Sequence, residues 1–371
     1  MRFFALLFAC THIAALDLAI PVVDMQDYYN EEKKEAFLDT LYDAMQTVGF
    51  FAVRNTGIDA DIISSAYDQS YTFFKQGSDY KMRSFATHLN GQRGFVPSES
   101  AKGCKRKDKK EFYHITSAEN PCPNIWPDQS GFEEAFTTLF KELEQYTVPL
   151  QRAIVSTINK HSTTSLDLDY LNRMVKGGDS LLRALYYPAM TQEEIHGDQG
   201  ELFWAAPHTD IDLLTILPYA TAKGLQVEID GKWLNVVVPE DAFVVNIGDM
   251  LENMTNGLFV SSHHRVVAES PDQDRFSVVF FVHPYDQAPL NPLPAAIELS
   301  GGVQKYAEGT RQEFLWERLL ELGIAPTLLE PYSKTGHTER QMIYGRQSPQ
   351  VVDLLINSGL ASPTVRSFTD E

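Results

Sequence analysis

The sequence predicts a mainly β fold with flanking α-helices, whose core is a double-stranded β-helix, a cupin-like jelly roll. Residues 181–282 indicate about eight short strands separated by turns. Asp230-Gly231 and Asn256-Gly257 are hairpin signals, because both residues of each pair tolerate a positive φ. Helical periodicity is confined to the regions before and after this stretch. A barrel of this kind encloses a small ligand in its mouth.

Amphipathic helices are predicted before the strand-rich stretch. Residues 31–48, 59–75 and 131–161 carry apolar side chains at helical spacing. Asp59 or Asp61 can cap the second of these helices. Short strands are expected at residues 49–53 and 111–115. The helices would then support the sheet from outside.

These patterns divide the chain into four regions. We expect an N-terminal extension at 1–17, a helix-and-strand region at 18–165, the jelly-roll core at 175–290 and a helical region at 291–371. Helices are predicted in the last region at 303–322 and 349–358. Residues 3–10 resemble a signal-peptide core, but no clean cleavage site follows and the run is too short to span a membrane. We expect a cytoplasmic protein, with export as the alternative if residues 1–15 act as a signal peptide.

Composition narrows the class of partner. The chain has 371 residues, with 31 Lys and Arg against 50 Asp and Glu, a net charge of −19. Such an acidic chain does not suit nucleic acid, whose phosphates need basic patches. Three cysteines are too few for a disulfide framework or a zinc site, which fits a reducing compartment. We expect a monomer that binds a small molecule and neither nucleic acid nor membrane.

The strongest functional signal is His208-Thr209-Asp210, followed by His264 and then by Arg275-Phe276-Ser277. Side chains at i and i+2 of a strand share a face, so His208 and Asp210 can point to one ion. Two imidazoles and a carboxylate form the facial triad that holds Fe(II) and leaves positions open. Arg275 and Ser277 share the same spacing on a strong strand signal, and together they suit the carboxylate of a 2-oxo acid.

Two other motifs have similar spacing. They are His196-Gly197-Asp198 and His337-Thr338-Glu339. A lone His-x-Asp occurs often by chance, and both motifs lie in stretches that indicate loops. We therefore expect the strand-borne pair to be the metal site.

The order of these motifs resembles the isopenicillin N synthase-like branch of the Fe(II)/2-oxoglutarate-dependent dioxygenases. The similarity covers most of residues 18–285. Besides the motifs above, it rests on Ile20–Asp24, Gly49–Val53, Val245–Glu252 and His264-Arg265-Val266. The resemblance implies that His208, Asp210 and His264 are the iron ligands.

The resemblance also implies a co-substrate site. Arg275, Ser277 and Tyr187 match residues that bind 2-oxoglutarate in the family, although Leu185 replaces an asparagine that many members carry. The implied cofactor is Fe(II), with 2-oxoglutarate and O₂ as co-substrates, and ascorbate is left open as a reductant. The implied reaction oxidises a C–H bond of a small molecule, by default through hydroxylation, and releases succinate and CO₂.

Candidates for contact with the substrate come from stretches that flank the active mouth in relatives. An arginine and two histidines there would suit a small acid, although aromatic side chains on strands more often belong to the core. The candidates are Arg93, Phe95, Tyr113, His114, Phe281 and His283.

Two other functions remain open from the sequence. An iron oxidase of the isopenicillin N synthase or aminocyclopropanecarboxylate oxidase type would not use 2-oxoglutarate. A jelly-roll module that binds without catalysis is the third possibility. The complete triad disfavours the module, because a degenerate barrel need not keep every ligand.

Overall fold

The structure is a computed structural model that describes residues 16–86, 89, 92–98, 108–196 and 202–362. The signal-like segment, most of the predicted extension and Gly197-Asp198 lie outside the described residues, as does the side chain of His196. No helix among the described residues is long and apolar enough to cross a bilayer.

Strands alternate with helices in the first part of the chain and dominate its middle. Strands β1 to β13 are Leu16–Ala19, Val22–Asp24, Phe50–Arg54, Gly94–Val96, Glu111–Thr116, Leu181–Tyr187, Ala205–His208, Leu214–Leu217, Leu225–Ile229, Lys232–Val237, Phe243–Ile247, His264–Val266 and Arg275–Val282. Helices α1 to α13 are Met25–Tyr28, Lys34–Thr47, Ala60–Phe74, Ser78–Met82, Phe132–His161, Tyr170–Val175, Gln192–His196, Asp249–Met254, Pro294–Leu299, Arg311–Glu321, Leu329–Ser333, His337–Met342 and Pro349–Asn357. A 3-10 helix at Pro326–Leu328 precedes α11.

Two facing sheets form the jelly roll. One has the order β1-β10-β9-β12-β7 and the other the order β2-β3-β11-β8-β13-β6-β5-β4. Side chains from both sheets line a cavity between them that includes His208, Asp210 and His264. Strands β6 to β13 fall within residues 181–282, so the prediction of about eight strands there is confirmed for the described residues.

The N-terminal region contributes strands to both sheets. Strand β3 pairs with the core strand β11, and β5 pairs with β6. Strand β1 pairs in parallel with β10. The boundary drawn between residues 17 and 18 therefore falls inside β1, and the N-terminal region extends the same sheets as the core.

Helices cover the outer face of the larger sheet, as the periodicity predicts. Helix α5 packs against both α2 and α3, and it also meets β13. Asp59 caps α3, because its carboxylate accepts a hydrogen bond from the backbone N–H of Asp61 at 2.9 Å. Phe73, Phe136 and Phe280 are fully buried in this core, and burial of each such ring stabilises the fold by about 1.5–3 kcal/mol.

The chain between the sheets departs from its sequence pattern. The apolar, β-branched run at residues 212–217 predicts a continuous strand, but β8 begins only at Leu214. Strands β7 and β8 belong to different sheets. Residues 209–213 therefore form the corner where the chain crosses from one sheet to the other.

Three further expectations are wrong in detail. Asp230-Gly231 does form the predicted hairpin, but Asn256-Gly257 follows helix α8, where its positive φ angles of 55° and 75° turn the chain. The helix predicted at 303–322 starts only at Arg311, behind a capping box at Thr310. His337 opens helix α12 and is fully buried, so its motif is not a loop.

Candidate active site

The two histidines meet through strand pairing. Strands β7 and β12 are antiparallel, and His264 lies directly opposite His208. Their ring centroids are 4.4 Å apart. Asp210 lies two residues beyond β7, in the corner between the sheets. One donor atom from each of the three side chains lies within 4.8 Å of the others. Nε2 of His208 is 3.8 Å from Oδ1 of Asp210, and Nε2 of His264 is 3.6 Å from Oδ2.

Hydrogen bonds orient each of the three side chains. Nδ1 of His208 lies 2.7 Å from the carbonyl oxygen of Ala206, and Nδ1 of His264 lies 3.2 Å from that of Ser262. An N–H on Nδ1 donates to that oxygen in each case, which leaves the Nε2 lone pair directed at the shared point.

The Asp210 carboxylate is held from its other side. Thr215 donates its hydroxyl to Oδ2 of Asp210 at 2.6 Å. Asn246 donates its side-chain amide to the same oxygen at 2.9 Å. Both donors sit on strands of the larger sheet. The position of the carboxylate is therefore fixed relative to that sheet.

The protonation states of His208 and Asp210 near pH 7 suit the binding of a cation. Burial, with repulsion from His264, lowers the pKa of His208 to about 3, so this imidazole is neutral near pH 7. Burial alone would raise the pKa of Asp210, but attraction from His264 and His208 and the hydrogen bonds from Thr215 and Asn246 lower it to about 2. A neutral imidazole and an ionised carboxylate are the forms that bind a metal. Two nitrogen donors and one oxygen donor fit Fe(II).

A partly buried network of hydrogen bonds ties the corner to the C-terminal region. Thr209 donates its hydroxyl to Oδ2 of Asp249 at 3.0 Å, and Arg318 of α10 donates to the same oxygen at 2.6 Å. The backbone N–H of Asp249 donates to the carbonyl of Asp210 at 2.8 Å. Thr209, which lies between two candidate ligands, is thus linked through Asp249 to Arg318 of helix α10.

Close packing around Asp212 explains the glycine before Asp249. Asp212 is fully buried, and burial and the nearby Asp210 raise its pKa well above its usual range. A Cβ on Gly248 would lie 2.2 Å from the Asp212 carbonyl oxygen and 2.3 Å from its Oδ1. Only glycine fits here without a backbone shift.

The predicted co-substrate residues share one wall of the cavity. Arg275 lies opposite Tyr187 in the pairing of β13 with β6, and Ser277 lies opposite Leu185. All four line the cavity. The guanidinium of Arg275 donates to the hydroxyl of Ser277 at 3.2 Å and to the carbonyl of Ala222 at 3.1 Å. Its carbon lies 4.9 Å from the centroid of the Tyr187 ring. The arginine is 2% exposed, so its position is well defined.

The predicted substrate residues are divided between cavity and core. Phe281 lines the cavity, whereas His114 lies beside it, with Nε2 2.6 Å from Nε of Arg183. Phe95 and Tyr113 belong instead to the main hydrophobic core, so their assignment is corrected to packing. The sheet carrying them has helices on one face and the cavity on the other, so both faces are buried.

Two more of these residues lie away from the cavity lining. Arg93 donates to Asp179 at 3.1 Å and to the carbonyl of Gln92 at 2.7 Å, which corrects it to a structural ion pair. His283 is buried and is not among the lining residues, and burial together with repulsion from Arg311 lowers its pKa well below the usual range.

Sequence reasoning missed two basic residues that do line the cavity, Lys110 and Arg183. A signal for Arg183 was available. Arg183, Leu185 and Tyr187 alternate along β6, and strand periodicity places all three on one face. Because the sequence already places Tyr187 in the site, the two-residue period of the strand predicts that Arg183 also faces the cavity.

The comparisons with known proteins agree with this geometry. A family model described as the N-terminal part of non-haem dioxygenases of morphine synthesis matches residues 20–129. A second, described as the 2OG-Fe(II) oxygenase superfamily, matches residues 178–284. The chain belongs to the Fe(II)- and 2-oxoglutarate-dependent oxygenases, in the isopenicillin N synthase-like branch. It is accordingly an oxidoreductase whose cofactor is iron and whose co-substrate is 2-oxoglutarate.

Individual relatives are distant but match along most of their length. The chain is similar to 2-oxoglutarate-dependent dioxygenase 11 of Oryza sativa subsp. japonica, with 26% identity over 81% of this chain and 80% of the relative. It is 29% identical to a probable iron/ascorbate oxidoreductase of Dictyostelium discoideum, over 80% of this chain and 88% of the relative. Among solved structures, a full-length Neurospora crassa protein in complex with α-ketoglutarate and thymine superposes with a TM-score of 0.72 at 25% identity, over 83% of this chain and 97% of the Neurospora chain.

Proposed function

We propose that His208, Asp210 and His264 hold the ferrous ion and that Arg275, Ser277 and Tyr187 bind 2-oxoglutarate. In this proposal the enzyme oxidises a C–H bond of a small molecule, by default through hydroxylation, and releases succinate and CO₂. When bound, iron and 2-oxoglutarate activate O₂ for this oxidation.

The observation that carries the proposal is the convergence of three donor atoms within 4.8 Å. Two come from strands that pair directly and the third from the corner between the sheets. Buried charge is costly unless it is compensated. The Asp210 carboxylate is 8% exposed, and a divalent cation would compensate its charge.

The co-substrate assignment follows from the buried guanidinium of Arg275. Ser277 and Tyr187 hold this group in place inside the cavity. A planar guanidinium can bind a carboxylate through two parallel hydrogen bonds, each worth about 1.5–3 kcal/mol. Arg275, with Ser277 and Tyr187, would then hold one carboxylate of 2-oxoglutarate.

The remaining wall of the cavity excludes water. Apolar side chains from both sheets line it, among them Leu217, Leu225, Val244 and Val279. A dry wall strengthens the electrostatic contacts within the site and protects the oxidant from side reactions. The chain thus supplies orientation and desolvation, and the cofactor supplies the reactivity.

The alternative is an iron oxidase that does not use 2-oxoglutarate. Leu185, which replaces the family's common asparagine, sits opposite Ser277 in the cavity and leaves this alternative open. The α-ketoglutarate bound in the Neurospora structure favours 2-oxoglutarate, and the thymine bound there favours a small-molecule substrate. The name of the Dictyostelium relative supports ascorbate as an accessory reductant. Monomeric state and a cytoplasmic location remain predictions from the sequence.

Oxygen uptake and succinate formation test the proposal directly. Both should require Fe(II) and 2-oxoglutarate, and His208→Ala and Asp210→Ala should abolish both. Full activity in either variant would reject the ligand assignment. Oxygen uptake without 2-oxoglutarate would favour the oxidase. Product formed from a metabolite mixture under ¹⁸O₂ would then identify the substrate by its isotope label.

A further inference from the structure

The cavity holds two basic residues that the iron and 2-oxoglutarate sites do not use. Arg183 and Lys110 line it together with Arg275. Lys110 is 8% exposed, and its ammonium lies 2.9 Å from Oδ2 of Asp108. Asp108 compensates the charge of Lys110, so Arg183 is the residue to consider as a contact for the substrate.

Arg183 is held rigidly. Its guanidinium carbon lies 4.5 Å from the centroid of the Phe112 ring and 5.0 Å from that of Phe281. Its Nε donates to Nε2 of His114 at 2.6 Å. Contacts with two ring faces and one imidazole restrict the side chain, so less entropy is lost when the guanidinium binds a ligand.

Arg183 and Arg275 serve different parts of the cavity. Arg183 lies opposite Val279, four positions along β13 from Arg275, or about 14 Å at the rise of an antiparallel strand. Arg275 is held towards Ser277, and Arg183 is held between Phe112 and Phe281. One carboxylate would therefore not be shared by both guanidinium groups.

The iron ligands lie near the Arg183 end. Phe281, which contacts Arg183, is paired with Thr215 of β8. Thr215 in turn donates to Asp210. A substrate bound by Arg183 would thus extend over Phe281 towards the metal, against apolar side chains such as Val279 and Leu217.

We propose that Arg183 is a specificity-determining residue that binds the carboxylate of the substrate, and that the substrate is a small carboxylic acid with an apolar body. This inference rests on the proposed function, because it assigns the substrate of the same iron site. The apolar body of the substrate carries the C–H bond that is oxidised.

The test compares acids with their neutral amides. Aliphatic and phenyl-substituted monocarboxylic acids and the matching primary amides would be titrated by calorimetry into the wild-type protein, and assayed for stimulation of succinate formation. We expect at least one acid to bind at least about tenfold more tightly than its amide. This ratio corresponds to the one charge-assisted hydrogen bond that the neutral amide lacks. Two results with the wild-type protein alone would overturn the proposal: equal affinities for acids and amides, or no binding of any acid.

Variants then locate the determinant. In Arg183→Gln the preference for acid over amide should fall to about one, and Arg183→Lys should restore part of it. Arg173→Gln is the matched control, because Arg173 is an exposed arginine paired with Asp167 on the surface; it should keep the wild-type preference. An unchanged preference in Arg183→Gln would refute the assignment. If the wild-type protein formed no succinate in the presence of Fe(II) and 2-oxoglutarate, that result would instead refute the proposed function.

Discussion

Thr215 provides a precise test of how the iron site is built. Thr215→Val keeps the shape of the side chain but removes the hydroxyl that donates to Asp210 at 2.6 Å. Hydrogen bonds to a charged group contribute about 1.5–3 kcal/mol, and about 1.4 kcal/mol corresponds to a factor of ten. Asn246 still holds the same oxygen, at 2.9 Å, so the carboxylate remains partly fixed. We expect the Kd for Fe(II) to rise by about 10- to 100-fold, as is typical when a partner of a metal ligand is removed.

The assay is anaerobic equilibrium dialysis of Fe(II) against a chelator of known affinity, with thermal unfolding measured in parallel. Thr157→Val is the matched control. Thr157 is also fully buried, and it donates its hydroxyl to the carbonyl of Ile154 within α5. That variant should lose about 1 kcal/mol of stability and keep wild-type affinity for Fe(II). Unchanged Fe(II) affinity in a folded Thr215→Val would refute the role given to this hydrogen bond.

Three further changes test other parts of the account. Arg275→Leu should raise the KM for 2-oxoglutarate at least about tenfold in succinate assays; an unchanged KM would favour the oxidase. The folded pKa of His283 lies well below the usual value, so the unfolded chain binds the proton first and the free energy of unfolding should decrease as pH falls below about 6.5. Urea unfolding at several pH values should show a flatter dependence in His283→Gln, and an equally steep one would contradict this. Gly248→Ala should lower the free energy of unfolding by at least about 1–3 kcal/mol, because the added methyl group would collide with Asp212. Gly77→Ala should not lower it, because nothing lies within 4 Å of the added carbon. Equal melting temperatures of the two variants would refute the packing argument.

The motif spacing predicts two of the three metal candidates because they lie close together in the sequence. His208 and Asp210 are two residues apart and so lie close together, but Asp210 lies beyond β7, and Thr215 and Asn246 fix its carboxylate. The pairing of His264 with His208 depends on the register of β12 against β7, which local pattern does not determine. Its position could be expected only from the resemblance to a family.

The errors have physical causes of two kinds. Asn256-Gly257 supplies the positive φ that a hairpin needs, but the same freedom ends helix α8, so the signal does not distinguish the two. Phe95 and Tyr113 lie on strands whose two faces are both buried, so alternation does not separate core from cavity.

The network of Thr209, Asp249 and Arg318 could not be predicted from the sequence. It joins the corner between the sheets to helix α10, and no periodic pattern relates residues so far apart along the chain. By contrast, the alternation along β6 did contain the information for Arg183.

The central claim is that residue 264, and not its neighbour, completes a ferrous site with His208 and Asp210. Anaerobic Fe(II) binding to His264→Ala and His263→Ala tests it most directly, because His264 is buried at the site and His263 is exposed beside it. We predict that His263→Ala binds a single Fe(II) per chain like the wild type, while His264→Ala binds it at least about 100-fold more weakly. Wild-type affinity in His264→Ala, or its loss in His263→Ala, would contradict the account.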